Sequence, residues 1–123
     1  MSLGNFSMNV KKFRLDLDDH LLAAQAYFNV APDDMFLTIM NGLSLGWGTD
    51  YNGVGCVLPG DVDRDPPDSG GVFYIGSQEE IWLSDPAIYE LMTTAITVYL
   101  ESNPDKKETA EPILARAAEH FVK

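Results

Sequence analysis

The residues best suited to catalysis in this chain are its one cysteine and its two histidines. A thiol beside an imidazole can act as a nucleophile, and Cys56 would have to pair with His20 or His120. Val54 and Leu58 share the alternation of Cys56, which is typical of a small residue on the apolar side of a strand. We therefore predict no catalytic residue, and we keep one alternative: a small cytosolic enzyme or ligand-binding regulatory domain with a pocket near Cys56.

The aspartates of the loop at 59–71 begin like a calcium-binding loop. Asp61, Asp63 and Asp65 have the right spacing, but Pro66 and Val72 stand where that loop requires Gly and Glu. The glycines between positions 42 and 55 lack the Lys-Ser/Thr pair of a phosphate loop. A single cysteine cannot build a zinc cluster with two distant histidines. We predict neither a metal site nor a cofactor.

Charge is the most informative bulk property of the chain. Its 19 acidic and 8 basic residues give a net charge of -11 and a sequence pI near 4.3. Nucleic acid is bound by clustered Lys and Arg, and the basic residues here are mostly scattered, so nucleic acid is an unsuitable partner. Two hypotheses remain open: the charge only keeps the protein in solution, or it attracts a basic protein.

Length and hydropathy predict a single cytoplasmic domain. The 123 residues are 46% hydrophobic, which is enough to bury one core. The sequence contains no apolar run of about 18 residues that would span a membrane and no secretory signal pattern at its beginning. One cysteine fits a reducing compartment. We expect one domain over residues 1–123, no membrane partner, and a disordered leader at 1–7.

Residues 71–83 predict a β-hairpin. Apolar, β-branched and aromatic types dominate 72–75 and 81–83, and Gly76, Ser77 and Gln78 between them are turn formers. Because side chains alternate along a strand, one face should carry the apolar residues Phe73, Ile75, Ile81 and Leu83. The opposite face should then carry Tyr74, Glu80 and Trp82.

A helix is predicted to follow the hairpin directly. Ser84 or Asp85 can cap it, Pro86 fits its first turn, and Asn103 with Pro104 marks its end. Its apolar residues form one stripe at helical spacing: Ile88, Leu91, Met92, Ala95, Ile96, Tyr99 and Leu100. We therefore expect the helix, at 86–101, to lie along the apolar face of the hairpin.

Weaker patterns predict the rest of the fold. Helices are expected at 20–30, from Pro32 to Gly42 or Gly46, and at about 111–121, where Pro112 would fall in the first turn. Residues 54–58 alternate as in a strand, and residues 13–17 predict either a short edge strand or the approach to a helix. The predicted fold class is α+β, with a small antiparallel sheet of about three to four strands packed against about four helices.

The order of these elements resembles the immunity proteins for ribonuclease toxins of bacterial contact-dependent growth inhibition systems. The resemblance covers residues 33–115, and its motifs read Gly53-Val54-Gly55-Cys56, Gly71 to Ile75, Glu79 to Ser84, and Tyr99-Leu100-Glu101-Ser102-Asn103-Pro104. The sequence departs from the pattern at Pro112 and in the Pro/Asp-rich loop at 59–70. The resemblance implies a small α+β protein, not an enzyme, that binds a basic nuclease toxin domain and blocks its active site.

Two parts of the chain are candidates for contact with such a toxin. The first is the polar face of the hairpin, because aromatic side chains beside a carboxylate are typical of binding hot spots. The alternative for this face is cover by an N-terminal helix. The second is the acidic loop with its neighbours, whose carboxylates could oppose a cationic active site. The predicted toxin-binding residues are Asp50, Tyr51, Asp61, Asp63, Asp65, Asp68, Tyr74, Glu79, Glu80 and Trp82.

Overall fold

A computed structural model describes residues 22–61, 66–77 and 79–122 of the chain. These residues form four α-helices and a four-stranded antiparallel sheet, which confirms the predicted α+β fold class. In chain order the elements are α1 (Leu22–Val30), α2 (Asp33–Ser44), β1 (Asp50–Tyr51), β2 (Val54–Val57), β3 (Gly71–Ile75), β4 (Glu79–Leu83), α3 (Asp85–Ser102) and α4 (Lys107–Phe121), with a turn of 3-10 helix at Pro104–Lys106. The predicted leader at 1–7 and the expected strand at 13–17 lie outside the described residues.

The four strands are paired in sequence order, β1-β2-β3-β4. Phe73 lies between Cys56 on β2 and Ile81 on β4, so these three side chains share the face that we call the inner face. Tyr74 lies between Gly55 and Glu80 on the opposite face, which we call the outer face. The hairpin of β3 and β4 therefore has the register that the alternation of its sequence predicts.

The inner face is covered by α1. The rings of Tyr27 and Phe28 lie 5.2 and 6.0 Å, centroid to centroid, from the ring of Phe73, and α1 is the helix that lies nearest to β2, β3 and β4. The prediction that helix 86–101 lies along the hairpin is therefore wrong, although Ile88 at its start does reach β3 beside Gly71. The apolar face of the hairpin was predicted correctly, but the helix that covers it was not.

The apolar stripe of α3 packs mainly against other helices. α4 contacts both α2 and α3, and the ring of Phe36 in α2 stacks on Tyr99 in α3 at 4.7 Å. Because α3 begins after the single residue Ser84, it leaves the sheet at the end of β4, and its stripe meets the helical layer instead. The stripe itself is buried as predicted at Ile88, Met92, Ala95, Ile96 and Tyr99.

Two helix boundaries agree with the sequence and one does not. The hydroxyl of Ser84 accepts a hydrogen bond from the backbone N–H of Ala87, so it caps α3 as predicted. α2 ends before Gly46, whose φ of +89° suits only glycine. α4, however, begins at Lys107 and not near position 111, so Pro112 lies inside it.

Pro112 is tolerated in α4 because the other side of the helix is well packed. Ala110, Ile113, Ala117 and Phe121 are buried at helical spacing, whereas Pro112 is exposed. The backbone N–H that proline lacks would have bonded the carbonyl of Glu108. Glu108 is also exposed, so water can take that place and the cost of the proline is reduced.

The strand β1 was not predicted, and it matters for the functional site. It forms a hairpin with β2 through Asn52 and Gly53, which have φ angles of +56° and +86°. Two positive φ values in a two-residue turn are characteristic of an Asn-Gly hairpin. The turn places Asp50 opposite Gly55, and therefore on the outer face of the sheet.

Candidate functional site

A row of side chains crosses the outer face of the sheet at Asp50, Gly55, Tyr74 and Glu80. The hydroxyl of Tyr74 donates a hydrogen bond of 2.6 Å to Oδ2 of Asp50, across the intervening strand β2. Gly55 makes this possible, because a Cβ there would lie 2.6 Å from Cζ of Tyr74. The tyrosine ring is thus held directly over the backbone of β2, with one carboxylate on each side of it.

Trp82 stands beside this row, two residues from Glu80 on the same face of β4. Its indole Nε1–H donates a hydrogen bond of 2.7 Å to the carbonyl oxygen of Ser69. Its ring also packs against Gly70, where a Cβ would lie 2.8 Å from Cε2 and Cζ2. Trp82 nevertheless remains 51% exposed, so the structure presents an indole that is fixed in position and open to a partner.

The helix α1 lies on the inner face and does not cover the outer one, and residues 1–21, where another N-terminal helix would have to lie, are outside the described residues. Asp50, Tyr74, Glu80 and Trp82 are the predicted site residues that the fold brings together. No lysine or arginine occurs in any of the four described strands. The outer face therefore combines carboxylates with aromatic rings and has no cation on its strands.

Two of the other predicted residues, Tyr51 and Glu79, do not share the outer face. Tyr51 is paired with Val54, and Glu79 with Ile75, so both belong to the inner-face alternation. Asp68 is exposed in the segment before β3, whereas Asp63 and Asp65 lie outside the described residues. The sequence thus grouped residues that the tertiary structure distributes over more than one surface.

Asp61 has a clear structural role. Its Oδ2 accepts hydrogen bonds from the backbone N–H of Leu58 at 2.7 Å and of Gly48 at 3.0 Å. These bonds close the turn after β2 and tie it to the segment before β1. Because the carboxylate is already bound to backbone donors, part of its charge is neutralised within the chain.

The residues that hold the two aromatic rings in place were not predicted from the sequence. These are Gly55 and Gly70, which leave room for the rings, and Ser69, which accepts the indole hydrogen bond. A signal for Gly55 was present, since an Asn-Gly turn at 52–53 predicts the hairpin register that places Gly55 beside Asp50. Ser69 and Gly70 have no comparable signal, because they belong to an irregular loop.

Cys56 lies on the inner face and is buried, as predicted. Burial raises the pKa of its thiol well above the ordinary value, and the nearby carboxylate of Asp61 raises it further. The thiol therefore stays protonated near neutral pH and is a poor nucleophile. His120 lies beside Gly46, where a Cβ would be 2.8 Å from its Cε1, and His20 lies outside the described residues. This geometry does not favour the alternative of catalysis at Cys56.

A shallow groove lies between α2 and α4 and continues toward the end of α3. Its two parts have volumes of about 320 and 390 Å³ and share Leu37 and Thr109 in their linings. Arg116 lines the first part, where its guanidinium donates hydrogen bonds to Ser44 Oγ at 3.1 Å and to Asn41 Oδ1. These acceptors belong to the last turn of α2, so Arg116 joins the two helices.

Within 22–61, 66–77 and 79–122 no group of three or more His, Cys, Asp or Glu residues is arranged to hold a metal ion. None of the helices in that part of the chain has the length and hydropathy needed to cross a membrane.

Comparison with known proteins identifies the family. A family model described as CDI immunity protein, where CDI denotes contact-dependent growth inhibition, matches residues 19–114. No curated protein matched the chain. The matched range includes all four strands of the sheet and the whole of α1, α2 and α3. The chain therefore belongs to the family of CDI immunity proteins, which neutralise a cognate toxin.

Proposed function

We propose that this immunity protein neutralises a nuclease toxin, specifically a ribonuclease, by binding to it and occluding its cationic active site. The observation that carries the proposal is the distribution of charge. The net charge of the chain is -11, and the lysines and arginines within the described residues are confined to Lys106, Lys107 and Arg116, at the last helix. The four strands carry Asp50, Glu79 and Glu80 and neither lysine nor arginine, so the sheet offers carboxylates without basic side chains of its own.

A ribonuclease must hold an RNA backbone, and it does so with lysine and arginine side chains. An inhibitor that presents carboxylates to the same side chains is attracted over a distance, and it competes with the substrate once bound. The same surface repels nucleic acid, so the protein would act on the enzyme and not on its RNA. Because such a toxin attacks RNA in the cytoplasm, we propose that the protein acts there.

The experiment uses the toxin domain encoded by the reading frame immediately upstream, mixed with the purified immunity protein. Cleavage of a labelled RNA and of a labelled DNA is measured while the immunity protein is titrated. We expect cleavage of RNA alone, complete inhibition at one immunity protein per toxin, and no turnover by the immunity protein.

The salt dependence of binding tests the electrostatic part of the proposal. Association should slow markedly when ionic strength is raised, because steering between exposed charges is screened within about 10 Å at 0.1 M salt. Cleavage of DNA in place of RNA would disprove the ribonuclease assignment. A stable complex in which RNA is still cleaved would disprove occlusion of the active site.

A further inference from the structure

We propose that the outer face of the sheet is the surface that contacts the toxin, and that it receives a basic side chain of the toxin over the ring of Tyr74, between Glu80 and Asp50 and beside Trp82. This inference rests on the function proposed above. It adds which surface is used and which chemical group the partner contributes.

The two aromatic side chains of this surface are fixed in position in the protein without its partner. Tyr74 is held by its hydrogen bond to Asp50 and by its position over Gly55. Trp82 is held by its hydrogen bond to Ser69 and by its packing against Gly70. Ordering a flexible side chain at an interface costs about 0.5–1.5 kcal/mol, and side chains fixed in advance avoid much of that cost.

Charge also favours this surface. The Cβ atoms of residues directly opposite each other in an antiparallel sheet are about 5 Å apart, so Glu80 is the cross-strand neighbour of Tyr74 on the side away from Asp50. The Glu80 side chain is exposed, and its carboxylate has no hydrogen bond or ion pair with another described residue. Asp50 is oriented by Tyr74 and by the backbone N–H of Gly53, which donates to its Oδ1 at 3.1 Å.

A cationic group fits this arrangement better than a neutral or an anionic one. An aromatic ring attracts a cation to its face, and the flanking carboxylates provide opposite charge on each side. A guanidinium is suited best, because it can stack on a ring while it donates hydrogen bonds in its plane to a carboxylate. An acidic partner group would be repelled by the carboxylates of Asp50 and Glu80.

Exposure by itself does not select this surface, because Trp47 is more exposed than Trp82, at 60% against 51%. Trp47, however, lies between α2 and β1 and outside the sheet. It is therefore separate from the row of Asp50, Tyr74 and Glu80. The chain thus offers a matched control, since the same substitution can be made at an exposed tryptophan inside the proposed surface and at one outside it.

Binding of the catalytically inactive toxin domain to the full-length protein is measured by calorimetry for wild type, Trp82→Ala and Trp47→Ala. We expect Trp82→Ala to weaken binding about 30-fold or more, as for other central aromatic residues of interfaces. Trp47→Ala should stay within about twofold of wild type. In a Trp47→Phe variant, Trp82 is the single tryptophan, and its emission should shift to shorter wavelength when the toxin covers it.

The partner group is identified by a double-mutant cycle. Each arginine and lysine of the toxin is replaced by alanine and combined with Glu80→Gln, which keeps the size of the side chain and removes its charge. One basic residue should show a coupling of at least about threefold in affinity with Glu80, as expected for groups in direct contact. Because Glu80 is exposed, the Glu80→Gln variant is expected to fold. If circular dichroism shows that Trp82→Ala is unfolded, the binding of Glu80→Gln decides whether the outer face contacts the toxin.

The inference is overturned if Trp82→Ala and Glu80→Gln both bind within twofold of wild type, or if no basic residue of the toxin couples to Glu80. In either case a tight wild-type complex that blocks RNA cleavage would leave the proposed function standing. If the wild-type protein does not bind the toxin, the proposed function fails and this inference fails with it.

Discussion

Two glycine-to-alanine substitutions should change stability in opposite directions. Gly55 lies in β2 beneath the ring of Tyr74, where a Cβ would be 2.6 Å from Cζ of the ring and 2.7 Å from the carbonyl oxygen of Thr49. Gly42 lies inside α2, where the nearest atom to a Cβ is a backbone oxygen of Trp47 at 3.9 Å. The first site has no room for a methyl group, and the second has ample room.

The expected magnitudes follow from these distances. Overpacking of a tight site costs about 1–3 kcal/mol, and displacement of Tyr74 would also remove its hydrogen bond to a carboxylate, which contributes about 1.5–3 kcal/mol in protein interiors and less at an exposed pair such as this one. We therefore expect Gly55→Ala to lower the free energy of unfolding by about 2–4 kcal/mol. Gly42→Ala should raise it by about 0.5–1 kcal/mol, since alanine stabilises a helix interior relative to glycine.

Urea unfolding followed by circular dichroism measures both changes. A Gly55→Ala/Tyr74→Ala double variant should recover part of the loss but not all of it, because the contact with the Thr49 carbonyl remains. A Gly55→Ala protein as stable as wild type would refute the reasoning that Tyr74 is held over a glycine. A Gly42→Ala protein less stable than wild type would show that position 42 has no room for a methyl group.

Three further predictions concern other parts of the structure. Because burial raises the pKa of Cys56 in the folded protein, the unfolded thiol ionises first, and stability should fall above about pH 8.5 by up to about 1.4 kcal/mol per pH unit. In urea titrations at several pH values, Cys56→Ala should remove this fall in stability with pH, and the variant should still neutralise the toxin. An unchanged fall would contradict its assignment to the buried thiol of Cys56. Arg116→Ala should destabilise the protein by about 1–3 kcal/mol in thermal unfolding, because the buried oxygen of the Ser44 hydroxyl loses the hydrogen bond that Arg116 donates to it. Lys107→Ala is the control: Lys107 is exposed in a 4.0 Å ion pair, so its loss should change stability by less than about 0.5 kcal/mol. Ser84→Ala should cost about 1 kcal/mol by removing the cap of α3, and a loss near zero would contradict that role.

Much of the fold was predictable because its signals are local. Three features depend only on residues close together in the sequence: the cap at Ser84, the helical stripe of α3, and the alternation in β3 and β4. The same alternation correctly assigned Tyr74, Glu80 and Trp82 to one face. The Asn-Gly turn at 52–53 was an equally local signal, and using it would have predicted β1.

The choice of which helix covers the sheet depended on contacts between residues far apart in the chain. α1 and α3 both present an apolar face, so periodicity by itself cannot decide which of them packs on Phe73. The position of Pro112 inside α4 has a similar origin, because burial of the opposite side of that helix outweighs the lost hydrogen bond. In both places packing of the whole chain outweighed local preference.

The candidate site also has one part that the sequence predicts and another that depends on the tertiary structure. The amino-acid sequence by itself determined that Tyr74, Glu80 and Trp82 share one face of the hairpin, since side chains alternate between the two faces of a strand. Only the tertiary structure brought Asp50 to Tyr74 across β2, placed Gly70 and Ser69 at Trp82, and turned Asp61 toward the backbone N–H of Gly48. These are contacts between separate segments, and they form because strand pairing fixes distances that no local pattern of residues specifies.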